Sequence, residues 1–191
     1  MTRVEDLRKR LGAATRMQDP LQRHMFVLGV ITAALEPHQV RPVLIGGAAI
    51  EFYTFGGYNT GDIDLAVADH LLLAGVMDKL GFERRGRVWY HPQVAETVES
   101  PASTLDEATA PLTIVQVQEF RCHIIGVEDL IIDRLNGYVH WNWADDRRWA
   151  TNLIALHRQD MDWEYVRQRA VTEGVDRALQ EIEEGLGEAE E

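Results

Sequence analysis

Two aspartates in one short segment could hold a divalent cation. Asp62 and Asp64 lie in the run DIDLAV (62–67), where acidic and apolar side chains alternate. Successive side chains of a β-strand point to opposite faces, so a strand here would place both carboxylates on one face. Two such carboxylates repel each other unless a cation lies between them, and Mg²⁺ or Mn²⁺ prefers oxygen ligands. The spacing predicts a metal site, although an isolated Asp-x-Asp is more often a solvent-exposed strand end.

Two consecutive glycines stand where a phosphate group could be held. Gly46 and Gly47 follow the apolar run VLI (43–45), which predicts a buried strand, and precede a helix-like run from Ala48 to about Phe55. A backbone without side chains can approach a phosphate closely, and the amides at a helix start favour an anion. A plain tight turn between a strand and a helix is the competing interpretation. The surrounding residues match neither the P-loop pattern nor the dinucleotide-binding pattern.

These two features together resemble the nucleotidyltransferase superfamily of the DNA polymerase β type. The resemblance rests on an apolar strand that ends in Gly46-Gly47 and on the later run TGDIDL (60–65). It extends over roughly residues 40–157. More narrowly, the chain is similar to the small bacterial members related to minimal nucleotidyltransferases and to AbiEii-type toxins.

The resemblance implies an activity, cofactors and site residues. It implies an enzyme that moves a nucleoside monophosphate from a nucleoside triphosphate such as ATP to a hydroxyl of a protein, an RNA or a small molecule. A toxin–antitoxin-like system would suit the first two acceptors. Two Mg²⁺ (or Mn²⁺) ions would be held by Asp62, Asp64 and a third acid. The nucleotide would be held by Gly46, Gly47 and Thr60.

The family pattern includes a third acid on a later strand, and three glutamates are candidates. Alternation along residues 94–100 puts Glu96 on the face of two valines and Glu99 on the opposite face. If the valines face the helices, Glu99 faces Asp62 and Asp64. We therefore expect Glu99 to complete the metal site or to act as a base, with Glu96 the second choice and Glu119 the third. Each could also be a surface glutamate.

Three further positions bear on nucleotide binding. Tyr58 stands where many relatives carry an arginine, and Ala48 stands where a serine often helps to hold the triphosphate. Both differences favour an alternative function, a catalytically inactive nucleotidyltransferase-fold protein that binds a partner. Arg134 stands about where relatives place a basic residue that reaches the phosphates. An ion pair with Asp129 or Asp133 is the competing interpretation of Arg134.

The elements predicted along the chain indicate an α+β fold. We expect a nucleotidyltransferase-like mixed β-sheet with flanking helices, followed by a C-terminal helical bundle. The predicted helices are 3–18, 21–35, 48–55, 69–80, 127–137, 143–157, 162–173 and 175–186. The predicted strands are 43–45, 62–67, 87–90, 94–100 and one or two within 113–125. Two domains follow, 1–126 with the sheet and the N-terminal helices, and 127–191 with helices and an acidic tail.

Composition limits the remaining classes of function. The chain has 191 residues, of which 46% are hydrophobic and 26% are charged, the balance of a folded soluble protein. A net charge of −12 argues against a general nucleic-acid binder, because phosphate contacts need clustered basic residues. Arg84, Arg85 and Arg87 form one dense basic patch, which is interpreted as a solvated loop that could also meet an acidic partner or RNA.

The expected location is the cytoplasm. The single Cys122 cannot form an internal disulfide, which fits a reducing compartment. The longest apolar run, residues 25–35, is too short to cross a membrane, and no secretory signal is recognised. We therefore expect no membrane partner. Several oligomeric states remain compatible with the sequence.

Overall fold

The computed structural model describes residues 3–102, 105 and 109–188, which divide into two units. The first unit holds the described residues up to 105 together with 112–125, and the second holds 109–111 and 126–188. A sheet with its packing helices makes up the first unit, and helices make up the second. No helix within these ranges is both long and apolar enough to cross a membrane.

One mixed sheet of seven strands is formed by the described residues of the first unit. The strands are β1 (Val43–Ile45), β2 (Asp62–Ala66), β3 (Glu83–Arg85), β4 (Val88–His91), β5 (Glu96–Ala102), β6 (Thr113–Val117) and β7 (Phe120–Ile124). Their order across the sheet is β3-β4-β5-β2-β1-β7-β6. β2 pairs antiparallel with β1 and parallel with β5. The predicted α+β fold with a mixed sheet is confirmed.

Four helices belong to the first unit: α1 (Arg3–Leu11), α2 (Pro20–Leu35), α3 (Gly46–Tyr53) and α4 (His70–Leu80). α2 is apolar on most sides, and its residues from His24 to Leu35 are buried except for Ala33, in contact with α1, α4 and β7. Asp19 caps it by accepting a hydrogen bond from the Gln22 amide, 3.2 Å. Asp69 caps α4 in the same way through the Leu72 amide, 2.8 Å, and Gly81 ends α4 in the left-handed conformation.

Two local features differ from the sequence prediction. The helix predicted at 3–18 ends as an α-helix at Leu11 and continues as a 3₁₀ turn, Gly12–Arg16. Gly12 weakens helix propagation, and the Thr15 hydroxyl donates a hydrogen bond to the Gly12 carbonyl, 2.8 Å. The edge strand β3 was not predicted, because its three residues are all charged and exposed and show no apolar alternation.

A buried ionic cluster ties α2 to α3 and β5. The ring of His24 on α2 lies between two buried carboxylates, with Nδ1 3.0 Å from Glu51 Oε2 and Nε2 3.2 Å from Glu96 Oε2. Arg23 pairs with the other oxygen of Glu96. Burial by itself would lower the pKa of His24, but hydrogen bonds and charges from Glu96 and Glu51 outweigh it, so the pKa is raised. The cluster joins the helix that begins at the two glycines to the strand that carries Glu99.

This cluster predicts a pH dependence of stability. A histidine whose folded pKa exceeds its ordinary value of 6.5 contributes stability that is full below pH 6.5 and is lost as pH rises through the folded pKa. The contribution is about 1.4 kcal/mol for each unit of the shift. Urea unfolding of wild type and His24→Gln should therefore show a stability difference that is largest below pH 6.5 and shrinks as the pH rises above it. The exposed His38→Gln is the control, and a difference that stays constant with pH would contradict the charged form of His24.

The second unit contains four helices: α5 (Val127–Trp141), α6 (Ala144–His157), α7 (Trp163–Glu173) and α8 (Asp176–Glu188). Buried Asp129 on α5 accepts hydrogen bonds from the Ala110 amide, 2.9 Å, and the Tyr165 hydroxyl, 2.5 Å. Burial raises the pKa of Asp129 although both hydrogen bonds and Arg169 oppose the shift. These contacts hold residues 109–111 to the helical unit.

Candidate active site

Three carboxylates meet on neighbouring strands of the first unit. The parallel register of β2 and β5 places Asp64 beside Glu99 and Asp62 beside Thr97. One carboxylate oxygen from each of Asp62, Asp64 and Glu99 lies within 4.8 Å of the other two, and all three residues are half-buried. Ile63, between the two aspartates, and Val98, which precedes Glu99, are fully buried on the opposite face. The apolar alternation therefore fixes which face the acids occupy.

The glycine turn lies directly against these acids. Gly46 has φ +62°, a left-handed conformation that favours glycine, and a Cβ there would collide with the Asp64 carboxylate. A Cβ on Gly47 would lie 2.9 Å from Thr60 Oγ1 and 3.1 Å from a ring carbon of Tyr58. Glycine is therefore required at both positions because the α3 backbone closely approaches β2 and the loop before it. At Gly46 the left-handed conformation of the turn is a second reason.

Thr60 positions one of the acids. Its hydroxyl donates a hydrogen bond to Asp62 Oδ1 at 2.8 Å, so Thr60 and Asp62 act as one unit at the start of β2. Both are half-buried, and Thr60 also borders Gly47. The predicted residues Gly46, Gly47, Thr60, Asp62, Asp64 and Glu99 are thus brought together by the fold.

The start of α3 offers backbone donors beside the carboxylates. The N-cap residue Ile45 supplies no side-chain hydrogen bond to the first amides of the helix. Ala48 is fully buried, so its side chain packs in the core and cannot replace a serine hydroxyl. Contacts to a phosphate at this point would come from the backbone. Tyr58 packs against Gly47 from the loop before β2.

The other candidate residues lie elsewhere. Glu96 is 1% exposed and engaged with Arg23 and His24, on the face of β5 opposite Glu99. Glu119 lies in the turn between β6 and β7 and pairs with Arg10. Neither joins the three carboxylates, so the first choice for the third acid, Glu99, is the one that the fold places beside Asp64.

Arg134 is engaged within the helical unit. Its guanidinium donates a hydrogen bond to Asp146 at 3.0 Å and another to Asp133 at 2.5 Å. Asp146 is buried, which raises its pKa even though Arg134 opposes the shift. From the sequence, Asp129 and Asp133 were possible ion-pair partners of Arg134. Asp133 is an observed partner, and Asp146 of α6 is a further one.

Arg87 lies beside one of the three acids, a contact that the sequence interpretation missed. Its Nε lies 3.4 Å from Glu99 Oε1, although the side chain is 86% exposed. The antiparallel register of β4 and β5 pairs Val88 with Glu99. Arg87 directly precedes Val88, so this pairing brings Arg87 close to Glu99. Residues 92–95 join the two strands, and no local pattern in the sequence fixes the register that brings Arg87 here.

The donor set fits a hard divalent cation. Three carboxylates with converging oxygens supply only oxygen ligands, which suits Mg²⁺ or Mn²⁺. They lie at a half-buried edge where their mutual repulsion would be relieved by a cation. The glycine turn lies against the same carboxylates, and amides at the start of a helix favour an anion.

The fold has counterparts among solved structures. No protein-family model and no curated protein sequence matches this chain. The structure of an antigenic nucleotidyltransferase-like protein from Paracoccidioides brasiliensis is 17% identical, covers 85% of this chain and 93% of its own, and has a TM-score of 0.54. The solution structure of the antibiotic-resistance factor ANT(2'')-Ia is 16% identical, covers 84% and 92%, and has a TM-score of 0.47. The first of these likenesses shows that the chain has a nucleotidyltransferase-like fold.

Proposed function

We propose that the chain is a metal-dependent nucleotidyltransferase that moves a nucleoside monophosphate from a nucleoside triphosphate to a hydroxyl group. The observation that carries the proposal is the meeting of Asp62, Asp64 and Glu99 beside the Gly46-Gly47 turn. The nucleotidyltransferase-like fold supports it. Neither the acids nor the glycines alone would distinguish this function from a structural role.

The acids and the glycine turn have separate tasks. Asp62, Asp64 and Glu99 would hold Mg²⁺ or Mn²⁺, which when bound offsets negative charge on the phosphates and on the leaving oxygen. Thr60 keeps the Asp62 carboxylate in place through its hydrogen bond. The backbone amides at Gly46 and Gly47 receive the β- and γ-phosphates.

The transfer step is a displacement at the α-phosphorus. The acceptor hydroxyl oxygen forms a bond to the α-phosphorus, and the bond from that phosphorus to the bridging oxygen breaks. The electron pair stays on the β-phosphate, so pyrophosphate leaves. The hydroxyl proton passes to the Glu99 carboxylate, which is half-buried at the edge of the acid cluster, and then to solvent.

Arg134 is not assigned to the nucleotide in this proposal, because Asp133 and Asp146 already engage its guanidinium. The acceptor hydroxyl is proposed to belong to a protein, an RNA or a small molecule. A cytoplasmic location and a toxin–antitoxin-like setting are proposed on the sequence alone. The alternative function, an inactive binding protein on the same fold, is favoured by the buried Ala48, which supplies no hydroxyl to a triphosphate.

Isothermal titration with a non-hydrolysable ATP analogue tests the proposal. We expect binding to wild type in MgCl₂ that weakens at least about tenfold in EDTA, because the cation joins the phosphates to the three carboxylates. Glu99→Gln, which deletes one charge from the cluster, should weaken the Mg²⁺-dependent binding. Binding that is absent, or is equal in MgCl₂ and EDTA, would overturn the proposal in favour of the inactive protein.

A further inference from the structure

A cleft of about 330 Å³ opens beside the third acid of the cluster. Its walls come from three parts of the first unit, and Glu99 lies at its border with the acid cluster. The lining residues are His70, Leu71 and Ala74 of α4, Arg84, Arg87 and Trp89 of the β3–β4 hairpin, and Glu99, Ser100 and Pro101 of β5. A volume near the lower end of the range for small-molecule sites fits a sugar-sized molecule or one terminal nucleotide.

The basic groups of this cleft have few acidic partners. Arg84 lies over the Trp89 ring, 5.6 Å from its centroid, and donates a hydrogen bond to the Gly86 carbonyl, 3.3 Å. No carboxylate in the described ranges pairs with Arg84. Arg87 contacts only Glu99 among the described acids. Two guanidinium groups thus line the cleft, and Glu99 is the carboxylate that one of them contacts.

One hydroxyl lies buried in the wall of the cleft. Ser100 Oγ is buried and has no hydrogen-bond partner among the residues that the structure describes, and Ser100 lines the cleft. A buried hydroxyl without a hydrogen-bond partner lowers the stability of the folded protein unless a ligand or water satisfies it. The polar donors that the cleft offers to a ligand are therefore the two guanidinium groups, next to the carboxylate of Glu99. The net charge of the chain is −12, so these two arginines form a local basic region on an acidic protein.

We infer that this cleft binds the acceptor, and that the acceptor is a hydroxyl compound bearing a phosphate group. Guanidinium groups bind phosphate oxygens through paired, charge-assisted hydrogen bonds, and a cationic acceptor would be repelled by Arg84 and Arg87. With its phosphate at the arginines, the acceptor directs its hydroxyl toward Glu99. This inference rests on the proposed function for the transfer step, whereas the binding of a phosphate compound stands on the cleft alone.

Titration of the wild-type protein with paired probes tests the inference. Glycerol 3-phosphate should bind at least about tenfold more tightly than glycerol in MgCl₂. Its phosphate can accept charge-assisted hydrogen bonds from the arginines, which glycerol cannot. An RNA trinucleotide is the second probe. Tighter binding of the trinucleotide assigns the cleft to an RNA end, and tighter binding of glycerol 3-phosphate assigns it to a free phosphate compound. Both outcomes support a phosphate-bearing acceptor.

A double variant and a matched control make the test specific. Arg84→Gln with Arg87→Gln should weaken the phosphate probes at least about tenfold. Arg177→Gln, which removes a 90% exposed arginine of α8, should leave their affinity unchanged. Equal binding of glycerol and glycerol 3-phosphate, or phosphate binding that survives in the double variant, would overturn the inference. Failure of Mg²⁺-dependent nucleotide binding would instead overturn the proposed function, because the phosphate probes are titrated without nucleotide.

Discussion

With Mg²⁺ and a non-hydrolysable ATP analogue, Asp64→Asn is expected to lose the rise in melting temperature that wild type shows. At ligand concentrations about 100-fold above Kd, binding adds about 2.7 kcal/mol, which raises the melting temperature by about 5–10 °C in a protein of this size. Asparagine keeps the shape of Asp64 but removes one of three converging negative charges that the cation requires. In EDTA, Asp64→Asn should melt at or above the wild type, because repulsion within the cluster is reduced.

Asp78→Asn provides the matched control. It makes the same chemical change on the same unit, at an exposed position of α4 away from the acid cluster. We expect it to keep the full ligand-induced rise. Wild type that melts identically with and without Mg²⁺ and the analogue would contradict the metal site, and so would an Asp64→Asn protein with an undiminished rise.

Gly46→Ala is expected to destabilise the protein and to remove metal-dependent nucleotide binding. At φ +62° a side chain adds strain of about 1–3 kcal/mol. The new Cβ would also collide with the Asp64 carboxylate, which must then leave its present position beside Asp62 and Glu99. Both effects can be measured on the same sample, by urea unfolding and by titration of the analogue in MgCl₂.

Gly174→Ala separates strain from collision. Gly174 ends α7 at φ +69°, and a Cβ there meets no heavy atom within 4 Å. We expect a comparable loss of stability from backbone strain but unchanged nucleotide binding. If Gly46→Ala is stable and binds the analogue as wild type does, the close approach of α3 to Asp64 has no functional role.

Much of the site could be predicted from local sequence because it depends on strand alternation. Asp62 and Asp64 had to share a face once Ile63 and Leu65 were buried, and burial of the valines on either side of Glu96 puts Glu99 on the opposite face of β5. The α+β fold followed from elements with strong apolar periodicity. In these cases the driving force is the burial of side chains whose period is visible in the sequence.

Other features depend on pairing between distant segments and could not be found this way. The contact of Arg87 with Glu99 follows from the β4–β5 register, and the charged edge strand β3 has no apolar signal. The burial of Glu96 depends on Arg23 and His24, more than 70 positions earlier in the chain. Charged residues are buried only with partners, and single-sequence patterns do not reveal such partners.

Crystals grown with Mn²⁺ and the non-hydrolysable ATP analogue test the central claim most directly, because anomalous scattering locates the metal. The account predicts an anomalous peak in coordinating contact with carboxylate oxygens of Asp62, Asp64 and Glu99, with the triphosphate against the Gly46-Gly47 turn. A nucleotide bound elsewhere on the first unit, or Mn²⁺ that avoids these three carboxylates, would contradict it.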